Sequence, residues 1–213
     1  MNALDQLTVQ FSTTQWFIDP PHSWWPPKGL WDIAKVRWAN KSSWMIRKGC
    51  HSVFSHMDFV LDDGSLLGSS NMGIGSPVIK GNPCGVAIRP PDYQKPWGLR
   101  RRMILNTDRA DDIIAMALTQ LGKPFDNSAI FTFMSKWTPR PARNWHIDDA
   151  WFCAEYCTWA EETGGYWKRR LIWPKDRVSP TDNLLLFVTD PHFVNYETFW
   201  DPIPGLKLDP GER

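Results

Sequence analysis

The chain has 213 residues with 42% hydrophobic and 22% charged side chains, which is enough apolar material for a sizeable core and excludes wholesale disorder or a fibrous repeat. Lys+Arg 24 against Asp+Glu 23 leaves a formal charge of +1, without the broad positive field that phosphate-driven nucleic-acid binding draws on, so no nucleic-acid partner is expected. Fourteen Trp and eighteen Pro foretell irregular, aromatic-anchored segments between the regular elements.

The opening residues MNALDQLTVQFSTTQ contain no basic stretch followed by an apolar one, and no run approaches the length of a membrane span. The expectation is a protein cytoplasmic as synthesised, with no signal peptide and no transmembrane segment. Residues 16–31, WFIDPPHSWWPPKGLW, carry paired prolines that exclude a helix or central strand, so residues 1–32 are expected to form a Trp/Pro-rich N-terminal arm. A strand is admitted over 33–38, and Trp44 to Ile46 reads as the end of a loop excursion. Val53 to Leu61 is β-rich, Asp62-Asp63-Gly64 supplies turn residues, and Ser65 to Ser69 resumes: together they predict a hairpin. Residues 68–83 read as a long loop bordering a site, and Gly85–Arg89 as a short strand closed by two prolines. Met103 to Leu105 forms another strand candidate, with Arg100-Arg101-Arg102 at its solvated end.

Helical spacing predicts a helix over Ala110 to Leu121, capped by Thr107 or Asp108 and stopped at Gly122. A second helix is predicted over 149–162, capped by Asp148 or Asp149 and ended by Gly164-Gly165. The run Leu184 to Val188 is open to helix or strand, and residues 189–213 read as an irregular C-terminal tail. The domain proper is therefore expected to span 33–188.

Cys50, Cys84, Cys153 and Cys157 lack the context of a disulfide framework and read as thiols. Cys153 stands about four residues into its predicted helix, where unpaired N–H groups and the helix dipole favour a thiolate. A nucleophilic thiol also needs an imidazole to take up and return its proton. Of the histidines, His22, His51, His146 and His192 lie in predicted loops or beside prolines, whereas His56 lies within a strand. Asp58, two residues on, shares the face of His56 and can orient its ring; Ser69, Ser70 and Asn71 are the other candidates for that role, as is none. A zinc site built on Cys153 and Cys157 lacks a second ligand pair, so no metal and no cofactor are expected.

The order of these motifs carries a resemblance. Ser55-His56-Met57-Asp58-Phe59-Val60 precedes an Asp-Gly hairpin, a Gly-Val-x-x-Arg strand and a helix ending Leu121-Gly122-Lys123-Pro124-Phe125-Asp126. Trp151-Phe152-Cys153-Ala154-Glu155 and Val178-Ser179-Pro180-Thr181 follow. Over roughly residues 33–188 this resembles the circularly permuted branch of the NlpC/P60 papain-like cysteine hydrolases, found in phages and bacteria and among secretion-system effectors. The resemblance implies an α+β papain-like fold, with an antiparallel sheet carrying His56 and a helix presenting Cys153. It further implies Cys153 as nucleophile, His56 as general base, and a peptidoglycan stem-peptide amide as substrate. Glu155 matches an acidic position of the family but points away from the thiol along the helix and reads as structural. Where the family places its third polar residue this chain offers only Gly68-Ser69-Ser70, so Asp58 is the expected substitute, with a Cys-His dyad as the equal alternative. An inhibitor or immunity protein is a possible partner, and delivery to a periplasm by a secretion system or phage particle a possible route. The rival readings are a non-catalytic phage or host-interaction protein on the same fold, and a lipid ester hydrolase or acyltransferase.

Overall fold

The computed structural model describes residues 6–14, 43–50, 52, 54–71, 84–91, 93, 97–130, 147–166, 178–190 and 193–200. The expected strand over 33–38, the arm over 16–31, most of the 68–83 loop, the tail beyond 200, and His22, His51, His146 and His192 lie outside the described residues.

Strands β1 (Gln6–Thr14), β2 (His56–Val60), β3 (Leu66–Ser70), β4 (Gly85–Arg89), β5 (Trp97–Asn106) and β6 (Phe193–Trp200) form one sheet in the order β4-β3-β2-β1-β5-β6. Every neighbouring pair is antiparallel. Among the described residues the helices include α1 over residues 43–50, α2 (Ala110–Leu118), α3 (Cys153–Thr163) and α4 (Pro180–Thr189). Mixed helix and antiparallel strand of this kind is an α+β architecture.

The expected hairpin is present as β2 and β3. Asp62, Asp63 and Gly64 make the reversal, with Gly64 at a φ of 81° that its missing side chain permits. The domain boundaries need correction at both ends. Residues 6–14, assigned from sequence to an arm, are the strand between β2 and β5, and Phe193–Trp200, assigned to an irregular tail, is the outermost strand beyond β5. Alternation in QLTVQFSTT sends Leu7, Val9 and Phe11 into the core, each at most 1% exposed. Each such side chain contributes about 1.5–3 kcal/mol of burial, which is ample reason for this segment to enter the sheet.

Three further expectations are revised. Trp44 to Ile46 belongs to helix α1 rather than to a loop. The Arg100-Arg101-Arg102 run lies inside the ten-residue strand β5, not at its end, and Arg102 Nε donates to Gln10 Oε1 on β1 at 3.2 Å. Helix α2 is capped by neither Thr107 nor Asp108; Arg109 occupies its N-cap without a side-chain bond, while Thr107 Oγ1 accepts from the Arg109 amide at 3.1 Å. The 184–188 run resolves as helix. Ser179 and Asp182 form a capping box around Pro180, satisfying two backbone donors reciprocally.

The sheet is buried on both sides of its central strands. One face carries Leu7, Val9, Phe11, Met57, Phe59, Leu67, Met103 and Leu105 against the helices. Phe187 of α4 meets Phe11 edge-on at 5.8 Å, and Tyr156 of α3 meets Phe59 at 6.2 Å. The opposite face carries Gln10, Ser12, His56 and Asp58, all buried, beside a small apolar cluster of Leu66 and Tyr93. Polar side chains at the centre of a covered sheet are costly unless bonded to one another, and that requirement shapes the site.

Candidate functional site

The site forms where the first residue of β2 meets the first residue of α3. His56 opens β2, and Asp58 follows on the same face. The carboxylate Oδ1 of Asp58 stands 2.9 Å from His56 Nε2. The ring also hydrogen-bonds the thiol of Cys153, so the structure brings the three candidate residues into one chain. Cys153, His56 and Asp58 are 1%, 7% and 0% exposed.

Cys153 sits closer to the helix start than the sequence indicates. Neither Asp148 nor Asp149 caps α3; its N-cap is Phe152, without a side-chain bond, and Cys153 is the first helical residue. Asp149 has a left-handed φ of 64°, and the following residues are held outside the helix by backbone pairing. The Trp151 amide donates to Pro124 O at 2.9 Å, Trp151 O accepts from the Asp126 amide at 3.1 Å, and Phe125 and Trp151 form a parallel bridge. Ser69 Oγ on β3 donates to the same Trp151 carbonyl at 2.6 Å. The chain cannot turn helical until it has left this ladder. The first intrahelical bond is then Tyr156 N–H to Phe152 O at 2.8 Å, so the amides of Cys153, Ala154 and Glu155 have no partner within the helix. As the first helical residue, Cys153 stands at the positive end of the helix dipole.

Burial of His56 alone pushes its pKa down, but the Asp58 carboxylate, the charge of Cys153 as thiolate and hydrogen bonds to both outweigh it and raise the ring from 6.5 to about 10. At neutral pH the imidazole therefore holds its proton, the charge that favours a thiolate beside it.

Room for Asp58 comes from its cross-strand neighbour. Phe59 pairs with Leu67 and Val60 with Leu66, which sets Gly68 opposite Asp58. A Cβ on Gly68 would stand 1.9 Å from Asp58 Oδ1 and 2.9 Å from its Cγ. Gly68, which from sequence marks a gap where a third polar residue is due, is thus the space that the carboxylate occupies. Of the other candidates, Ser69 is engaged by Trp151 and Ser70 hydrogen-bonds Tyr93.

Tyr93 is the site residue that sequence reasoning misses. Pro90 and Pro91 turn the chain after β4, the Tyr93 amide donates to Pro90 O at 3.1 Å, and the phenol returns over the sheet. Its oxygen lies 2.8 Å from His56 Nε2 and 3.0 Å from Asp58 Oδ2. Behind it Arg89, 1% exposed, donates to the carbonyls of Gly68, Ala87 and Gly85, and its guanidinium sits 5.3 Å over the Tyr93 ring. The only sequence signal for this arrangement is the Pro-Pro turn.

On the helix side, buried Asn183 of α4 ties together the two elements that carry the candidate site. Its Nδ2 donates to Ala154 O at 3.3 Å and Thr158 Oγ1 at 2.9 Å on α3, and approaches Met57 Sδ, between His56 and Asp58, at 3.3 Å. Cys157, one turn beyond Cys153, is fully buried in the core, and none of the four cysteines is in a disulfide. Among the described residues no group of three or more His, Cys, Asp or Glu side chains is placed to hold a metal ion, and no helix is long and apolar enough to cross a membrane.

A cysteine at a helix start, an imidazole on an adjacent antiparallel sheet and a carboxylate behind the imidazole make the arrangement of a thiol nucleophile with its base and orienting group. No protein-family model, curated protein or solved structure matches the chain.

Proposed function

We propose that the protein is a cysteine hydrolase of the permuted NlpC/P60 type, cleaving an amide bond through Cys153 and His56. The observation that carries the reading is the buried chain Cys153, His56, Asp58, with the thiol at the first position of a helix and the ring pKa raised to about 10. A purely structural cysteine needs neither an imidazolium nor a carboxylate behind it.

In the reaction the Cys153 thiolate attacks the carbonyl carbon, and negative charge develops on the carbonyl oxygen near the first amides of α3. Collapse of the tetrahedral intermediate breaks the C–N bond. The His56 imidazolium gives its proton to the departing amine, leaving a thioester on Cys153 and a neutral ring. Water then attacks the thioester while His56 takes a proton from it. The acid leaves, and the thiolate–imidazolium pair is restored. Asp58 is a positioning residue: it holds the ring in plane and stabilises its charged form.

The substrate class rests on the resemblance alone, which points to a peptidoglycan stem-peptide amide acted on by a bacterial effector or a phage enzyme. Incubating the protein with purified peptidoglycan and mass-analysing the released fragments tests it. Paired new amine and carboxylate ends that vanish with Cys153→Ala are expected. Intact peptidoglycan, together with Cys153-dependent cleavage of a lipid ester, would replace the amide substrate with an ester.

A further inference from the structure

We propose that Tyr93 is a positioning residue that keeps the proton of His56 on Nε2, so that Nδ1 is the nitrogen that exchanges a proton with Cys153. The inference deepens the hydrolase reading and rests on it. A count of hydrogens fixes the assignment. A phenol carries one, and burial, followed by the neighbouring Asp58 carboxylate, holds it on Tyr93 far above the ordinary tyrosine range. The carboxylate can only accept, so at 3.0 Å from Oδ2 the phenol hydrogen points to Asp58. Toward His56, 2.8 Å away, the phenol oxygen is then left with a lone pair, and Nε2 must be the donor. Asp58 Oδ1, 2.9 Å from the same nitrogen, demands the same. The opposite tautomer would set lone pairs against each other at two buried contacts, a costly arrangement.

Other groups around the ring do not undo this assignment. Among the described residues its charged and titratable neighbours are Asp58 on its own strand, Cys153 at the start of α3 and Tyr93 from the turn after β4, with Arg89 behind the phenol. Across the sheet the residue paired with His56 on β1 is Ser12, and Arg100 of β5 lies one strand further away. Tyr93 is itself fixed by Ser70, by Arg89 over its ring and by the Pro90 turn. A lone pair held against Nε2–H stabilises the imidazolium more than the neutral ring, so Tyr93 also helps to keep the general acid charged.

Titration of the full-length protein, labelled with 15N in histidine and followed by NMR, tests the inference without requiring turnover. The wild type is expected to titrate at His56 near pH 10 and to show, above that midpoint, a protonated Nε2 and an unprotonated Nδ1. In Tyr93→Phe the midpoint is expected to fall by roughly one pH unit or more, the equivalent of one hydrogen bond to a charged group, with kcat lowered and KM kept. A Tyr93→Phe midpoint equal to that of the wild type would overturn the inference. Should the variant fail to fold, the wild-type spectrum decides: a neutral ring protonated on Nδ1 overturns the assignment while leaving the hydrolase reading in place. A wild-type midpoint near 6.5 that ignores Cys153→Ala would instead overturn the hydrolase reading, and this inference with it.

Discussion

Replacing Gly68 by alanine adds one methyl group and is expected to disable the site. The new Cβ would lie 1.9 Å from Asp58 Oδ1, against an ordinary contact of about 3.4 Å, so the carboxylate must retreat by about 1.5 Å. A shift of that size breaks its 2.9 Å contact with His56 Nε2 and its 3.0 Å contact with Tyr93. Asp58 is fully buried, so the loss of hydrogen bonds to a charged group costs about 2–4 kcal/mol. Urea unfolding measures this cost, and a double-mutant cycle assigns its cause. In an Asp58→Ala background the methyl has no carboxylate to displace, and Gly68→Ala is expected to cost under about 1 kcal/mol, so that most of its effect appears as coupling between the two positions. The NMR midpoint of His56 is expected to fall in both Gly68→Ala and Asp58→Asn, since Asp58 raises it. Equal costs of Gly68→Ala in both backgrounds would refute the reasoning.

The two cysteines of α3 separate chemistry from packing: Cys153→Ala is expected to abolish hydrolysis, whereas Cys157→Ala keeps it and loses about 1 kcal/mol of stability by chemical denaturation, because it leaves a small cavity in the core. Asp58→Asn is expected to lower turnover by orders of magnitude. It is also expected to change the pH dependence of stability. Because the folded pKa of His56 lies above its unfolded value, the ring's contribution is fully present below about pH 6.5 and is lost as pH rises to about 10; urea midpoints across that window are expected to fall more in the wild type than in Asp58→Asn. Asn183→Ala removes the bonds to Ala154 and Thr158 and is expected to cost about 2–3 kcal/mol, with a loss of kcat as the helix start drifts from the His strand.

Features set by neighbours in the chain are legible in the sequence. Asp62-Asp63-Gly64 between two β-rich runs specifies the hairpin, the two-residue spacing puts His56 and Asp58 on one face, and Gly164 marks the end of α3, whereas α2 ends at Leu118, short of the stop expected at Gly122. Gln6–Thr14 carried an equally plain alternation, which the Trp/Pro-rich segment after it obscured. The start of α3 was hidden for a different reason. Two aspartates at 148 and 149 are good capping residues, but pairing of Trp151 with Phe125 holds the chain extended past them, and that pairing joins residues 26 positions apart. Tyr93 and Gly68 lie outside local logic altogether. Tyr93 meets residues 35 and 37 positions away, and Gly68 matters for the methyl it lacks opposite one carboxylate.

The pairing of Cys153 with His56 is tested most directly by a thiol-directed acylating probe at pH 7, with the modified residue mapped by mass spectrometry. The account predicts fast, stoichiometric labelling at Cys153, slow labelling at Cys50, Cys84 and Cys157, and loss of the fast phase in His56→Ala with the fold intact. Labelling that begins at Cys50 or Cys84, or that proceeds at Cys153 equally fast without His56, would contradict it.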